Sequence, residues 1–223
     1  MTIEELANKI DLTILNPLAT AADVERLAKK ALVYPFAGLC VAPCHALLAA
    51  KLLKDSPIKV STVAGFPLGF ETTEEKVLAV RRAFGDGAAE VDMVMNQSAF
   101  HGGEYTLVED EIRAVVSAVP GALVKVIIET CYLTGEQKAR AVEIIIKAKA
   151  RFIKTSTGFA GEGALVEDVR LLTELAANRA GVKASGGIKT LAHAMAMLKA
   201  GAERLGTSSG IEIVEAFKEG RPA

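Results

Sequence analysis

No stretch of this 223-residue chain stays apolar for the ~20 residues needed to cross a bilayer. An excess of one charge is missing too, since 26 Lys and Arg against 27 Asp and Glu leave a formal net charge of −1. That balance gives no electrostatic footing to nucleic acid or an anionic membrane surface, and neither is expected as a partner. Cysteine is scarce: Cys40, Cys44 and Cys131 make an odd number. The first residues, M-T-I-E-E-L-A-N-K-I-D, carry acids where a signal peptide needs a basic and then an apolar run. A disulfide framework is therefore not expected, and a reducing cytoplasm is. There is no Pro/Ser-rich linker, no low-complexity tract and no G-x-G-x-x-G opening a helix, and the last absence argues against a dinucleotide fold.

What the chain does have is rhythm. Hydrophobic residues are 51% of it, enough for one sizeable core. Strand-like runs are expected at Lys9–Ile14, Ala37–Val41, Lys59–Ala64, Glu90–Met95, Leu123–Glu129, Arg151–Thr155, Gly181–Ala184 and Arg204–Gly206. Helical segments follow them at Ala21–Val33, Pro43–Lys54, Glu74–Phe84, Glu104–Ala118, Glu136–Ala150, Leu165–Ala180, Leu191–Ala200 and Gly210–Lys218. Thr72 with Glu75, and Thr134 with Gln137, are spaced like capping boxes. Near-continuous apolar strands such as L-V-K-V-I-I suit a parallel sheet covered on both faces. Eight β/α alternations predict an α/β fold, a (β/α)8 or TIM barrel, which typically takes about 250 residues. A short helix at Ile3–Asn8 caps its floor, and residues 1–223 form one domain; an open doubly wound sheet is the alternative.

In such a barrel the active site lies at the C-terminal ends of the strands. Polar residues expected there are Asp11, Thr13, Cys40, Asp92, Asn96, Lys125, Glu129, Lys154, Thr155, Ser156, Lys183 and Ser185. Lys154, in R-F-I-K-T-S-T-G, has three open readings: an exposed strand end, a salt-bridge partner, or an amine nucleophile. An ordinary lysine, with a pKa near ~10.4, is almost wholly protonated at neutral pH. Burial beside a second cation, here Lys183 on the next strand, lowers that value and frees the amine. Asp92 is expected to pair with a lysine and to shuttle protons, and Lys125 and Glu129 to belong to one charged network. The loops S-G-G-I-K-T and G-T-S-S-G follow the seventh and eighth strands, where barrels often hold phosphate on backbone N–H groups and a helix N-terminus. T-G-F at Thr157–Phe159 could close that cup. C-V-A-P-C-H fits no firm zinc spacing, so no metal is expected. His101 in a loop and His193 in a helix have no triad context.

These motifs, D-L-T, E-V-D-M-V-M-N, K-V-I-I-E-T, F-I-K-T-S-T-G, K-A-S-G-G-I-K-T and G-T-S-S-G, occur in an order that resembles the deoxyribose-phosphate aldolases, a class I (Schiff-base) family, almost end to end. The resemblance implies a (β/α)8 barrel that reversibly cleaves 2-deoxy-D-ribose 5-phosphate to acetaldehyde and D-glyceraldehyde 3-phosphate, with no cofactor. It implies that Lys154 forms the imine, that Lys183 lowers its pKa, and that Asp92 moves protons with a bound water. Lys125, Asp11 and Thr13 match the supporting polar network. Gly158, Gly186, Gly187, Gly206, Ser208 and Ser209 match the phosphate positions, with Lys189 as a nearby cation. Cys40 matches a pocket cysteine with no required role. The partners implied are a small sugar phosphate and aldehydes, and a homo-oligomer, dimer or tetramer, is expected. Two departures stand out: some relatives end in a tail with a terminal tyrosine, where this chain reads E-G-R-P-A, and some carry a lysine where this chain has Phe159. The rival functions are a different Schiff-base aldolase, a sugar-phosphate isomerase using acid–base residues only, and a phospho-ligand-binding barrel without catalysis.

Overall fold

A computed structural model describes residues 1–220 of the chain; residues 221–223, where the expectation about the tail falls, lie outside the described residues. Eight parallel strands close into a barrel in chain order. They are β1 (Ile10–Ile14), β2 (Gly38–Val41), β3 (Lys59–Ala64), β4 (Glu90–Val94), β5 (Leu123–Ile127), β6 (Phe152–Lys154), β7 (Gly181–Ser185) and β8 (Arg204–Thr207). β8 pairs back onto β1, Asp11 opposite Gly206, which closes the sheet among the described residues and excludes the doubly wound alternative. Each expected strand is present, with ends displaced by two residues at most.

The outer layer begins with α1 (Ile3–Ala7), which precedes β1, and continues with α2 (Ala21–Ala31), α3 (Ala46–Leu52) and α4 (Thr73–Gly85). The short α5 (Gln97–His101) comes next, then α6 (Tyr105–Ala118), α7 (Gly135–Lys147), α8 (Val166–Ala176), α9 (Leu191–Lys199) and α10 (Gly210–Lys218). Both expected capping boxes form, because Thr72 and Thr134 accept from the backbone N–H three residues on while Glu75 and Gln137 reach back. Thr2 with Glu5 and Thr20 with Asp23 make two more. A small departure is α5, whose cap is Asn96: its side chain accepts from the Ala99 N–H. Asn96 thus begins a helix, and His101 ends that helix instead of lying in a loop.

Most of the core lies between barrel and helices, where Val91, Met93, Val126, Ile153 and Val182 meet Val80, Ile112, Val115, Ile145 and Leu172. Inside the barrel the filling is different. Side chains alternate across a strand, and the same parity that sends Val91 and Val126 outward sends Glu90, Asp92 and Lys125 into the lumen. Barrel interiors are usually stacked with branched apolar residues; this one is largely ionic. Gly206 makes room for it, because a Cβ there would stand 3.0 Å from Lys183 Cε.

Candidate active site

Register brings the charges together. Parallel pairing sets Lys154 opposite Lys183, Asp92 opposite Lys125 and Lys183 opposite Arg204. Asp92 is fully buried and receives three lysines: Lys125 Nζ on Oδ1 at 2.8 Å, and Lys154 Nζ and Lys183 Nζ both on Oδ2 at 2.7 Å. Asp11 takes Lys183 Nζ on Oδ2 at 2.5 Å and Arg204 Nη1 on Oδ1 at 2.6 Å. Glu90 Oε2 holds Lys125 at 2.6 Å and Arg204 at 3.3 Å. Every one of these residues is buried or nearly so, and each charge is tolerated because its partners are within contact.

The lysines do not end in the same state. Burial pushes Lys183 down, but Asp11 and Asp92 outweigh it and hold its ammonium well above the ordinary lysine value. Lys125 is raised for the same reason by Asp92, Asp11 and Glu90 against burial and Lys183. Lys154 is lowered: burial and the Lys183 charge together overcome the pull of Asp92. Asp92 is pushed up by burial yet kept well below the carboxylate range by Lys125, Lys154 and Lys183. A fixed cation beside an amine that sheds its proton more easily is the arrangement that activates a lysine.

Above the cluster lies a cavity of about 420 Å³. Lys154 is among its lining residues; Lys183, Lys125 and Asp92 lie beneath it. The cavity's other walls include Thr13 in β1 and Asn16 beyond it, Thr157 to Phe159 after β6, Ser185 at the end of β7 with Gly186 to Lys189 after it, and Gly206 and Thr207 at the end of β8 with Ser208 after them. The loops are tied to one another. Thr155 Oγ1 donates to Ser185 O and accepts from Ser185 N, while Ser185 Oγ donates to Ser156 O at 2.6 Å. Thr207 Oγ1 donates to Ile188 O at 2.5 Å and accepts from Ser209 N. Gly186 has φ +89°, and a Cβ there would sit 2.9 Å from Gly163 Cα, so only glycine suits this wall. Glycine backbone and the exposed Lys189 make one side of the cavity suited to an anion.

Most of the expected residues thus converge: Lys154, Lys183, Asp92, Lys125 and Asp11 in the cluster, and Thr13, Gly158, Gly186, Gly187, Lys189, Gly206 and Ser208 around the cavity. Ser209, next after Ser208, flanks the start of α10, and its N–H donates to Thr207 Oγ1. One expectation needs correction. Glu129 does not join Lys125, because β5 ends at Ile127 and residue 129 turns to φ 51°, which breaks the strand parity. Its carboxylate instead accepts from Thr157 N and Oγ1, bracing the loop after β6. Cys40 is buried, its thiol pushed up by burial and by Asp92. Sequence reasoning missed Arg204 and Glu90, whose partners sit on other strands, and Asn16 and Thr207 on the cavity wall. Among the described residues no group of three or more His, Cys, Asp or Glu is placed to hold a metal ion.

Comparison with known proteins gives the family. The model of the DeoC/LacD family aldolases matches residues 6–216. A deoxyribose-phosphate aldolase of Exiguobacterium sibiricum is 51% identical over 210 residues, 94% of this chain and 95% of its own. Deoxyribose-phosphate aldolase 1 of Bacillus licheniformis is 50% identical over 213 residues, 95% of this chain and 96% of its own. The solved tetrameric deoxyribose phosphate aldolase of Aeropyrum pernix superposes with a TM-score of 0.90 at 34% identity, covering 97% of this chain and 92% of that one. With a barrel, a buried lysine pair and an anion-suited cavity already in place, the chain belongs to the DeoC/LacD family of aldolases.

Proposed function

We propose that this aldolase cleaves 2-deoxy-D-ribose 5-phosphate reversibly to acetaldehyde and D-glyceraldehyde 3-phosphate, in the catabolism of deoxyribonucleosides. The observation that carries the reading is the placing of Lys154: a buried amine with a lowered pKa that opens on a cavity walled by glycine loops. Lys154 Nζ attacks C1 of the open-chain sugar, and loss of water leaves a protonated imine. The imine nitrogen draws electrons as the 3-hydroxyl gives up its proton and the C2–C3 bond breaks. Glyceraldehyde 3-phosphate departs, carrying C3 as its aldehyde. The enamine left on Lys154 takes a proton at C2, and water releases acetaldehyde and restores the amine. Asp92, 2.7 Å from Lys154 Nζ, carries protons through water, and Lys183 remains the charged neighbour that keeps Lys154 free.

Gly158, Gly186, Gly187, Gly206, Ser208, Ser209 and Lys189 hold the phosphate in this reading, with Thr13 toward the sugar and Asp11 and Lys125 fixing the cluster. Phe159 supplies no charge on that wall, so the one side-chain charge for the phosphate is Lys189, beside glycine backbone and serine. Residues 1–223 act as one catalytic domain, a homo-oligomer in the cytoplasm; the Aeropyrum pernix relative is a tetramer, and no helix among the described residues is long and apolar enough to cross a membrane. Borohydride added during turnover of deoxyribose 5-phosphate should leave a stable adduct on Lys154. Turnover with Lys154 unmodified would overturn the mechanism.

A further inference from the structure

The ion pairs inside the barrel form one connected set, and its charges do not balance. Lys125, Lys154, Lys183 and Arg204 are four cations; Asp11, Glu90 and Asp92 are three carboxylates. The set is neutral when one cation gives up its proton. Which one does so follows from the contacts. Arg204 and Lys183 each touch two carboxylates, and Lys125 touches three, counting Asp11 at 3.8 Å. Lys154 touches Asp92 alone among the described residues, on an oxygen it shares with Lys183.

We infer that Arg204 and Glu90 are positioning residues for the aldol reaction: by occupying Asp11 and Lys125 at the far end of the set, they fix the charge balance that leaves Lys154 a free amine. This rests on the Schiff-base reading. Among the described residues neither Arg204 nor Glu90 contacts Lys154 or lines the cavity. Arg204 claims Asp11 Oδ1, so Asp11 offers Lys183 only its other oxygen, and Lys183 leans on Asp92 as well. Glu90 draws Lys125, which otherwise has Asp92 as its near partner. The remaining groups that face Lys154 are consistent with this. Cys40 on β2 has its thiol pushed up by burial and stays uncharged at neutral pH. Glu129, after β5, is pushed up by burial and bound by Thr157, outside the connected set.

The balance makes a signed prediction. Arg204→Met leaves three cations for three carboxylates, so Lys154 keeps its proton longer. Glu90→Gln leaves four cations for two, so Lys154 loses it sooner. The double variant restores an excess of one. The readout is borohydride trapping of acetaldehyde on Lys154 in the full chain, as a function of pH, which needs no sugar phosphate and no turnover. The acid limb should move up by about half to one pH unit in Arg204→Met, down by a similar amount in Glu90→Gln, and return in the double variant. Arg204→Lys, which keeps the charge, should hold the wild-type limb even where thermal unfolding shows a weaker fold. Single variants whose limbs stay put, or move the same way, would overturn the inference. Wild-type Lys154 that takes no aldehyde would overturn the Schiff-base reading itself.

Discussion

Lys76 and Lys154 are buried to nearly the same degree, 0% and 3% exposed, and end in opposite conditions. Lys76 lies on α4, outside the barrel, against α6. Its ammonium donates to Gly69 O at 2.8 Å, Val94 O at 3.0 Å and Glu111 Oε2 at 2.9 Å. An ammonium has three donors, and here each has an acceptor. No second cation is in contact with it among the described residues. Among the described residues Lys154 has one acceptor, Asp92 Oδ2, and divides it with Lys183. Desolvation acts on both. The number of acceptors and the cation on the neighbouring strand separate a lysine that ties the loop after β3 and the end of β4 to the helical layer from one poised to react.

Substituting each lysine by methionine sharpens that contrast. Lys154→Met should lower turnover on the order of 10³-fold or more, because no imine can form. Its thermal unfolding midpoint should stay level or rise, since a poorly compensated buried amine is removed and Asp92 keeps Lys125 and Lys183. Loss of folding in this variant would put Lys154 in the same class as Lys76. Lys76→Met should do the reverse, leaving Glu111 buried without its cation at a cost of about 3–5 kcal/mol in urea unfolding. Turnover per folded molecule should change only a few-fold. A Lys76 variant that folds as well as wild type would mean that its three hydrogen bonds stabilise nothing.

That contrast also marks where the sequence could be read. The barrel was legible because strands such as L-V-K-V-I sit between capped helices at a steady spacing, and eight β/α units fit a closed barrel; closure itself was decided only by the pairing of β8 with β1. Lys154 and Lys183 were legible because each ends an apolar run before a small-residue turn. Lys76 was not: in E-E-K-V-L it looks like the charged face of a helix, and Glu111, its partner, lies 35 residues on. Arg204 and Glu90 were hidden for a related reason. Closing the barrel lays β8 beside β1, and the lumen joins residues up to 193 positions apart. Glu129 was misread because strand parity was carried one step past the strand's end. The five-residue α5 was missed since H-G-G reads as loop, although Asn96 carried the cap signal.

Acid should separate the two ion clusters by a smaller margin. Burial pushes the Glu111 carboxyl above its ordinary 4.5, more than Lys76 and the Asn96 N–H pull it down. The folded protein therefore takes up that proton before the unfolded chain does, and stability rises as pH falls through the raised value toward 4.5. Asp11 behaves in the opposite sense: burial pushes it up, but Lys183, Lys125 and Arg204 outweigh burial and hold it at about 2, below its ordinary 3.8. Its contribution is complete above 3.8 and is lost as pH falls toward 2, on the order of 2 kcal/mol. Unfolding midpoints measured from pH 7 to 2 should carry both features. Glu111→Gln should flatten the upper one, and Asp11→Asn should shrink the fall at the acid end. An Asp11→Asn protein that loses as much stability below pH 4 as the wild type would show that the lumen cations do not hold this carboxylate down. The separation of a satisfied cluster from a competing one would then fail on the side where the chemistry is proposed.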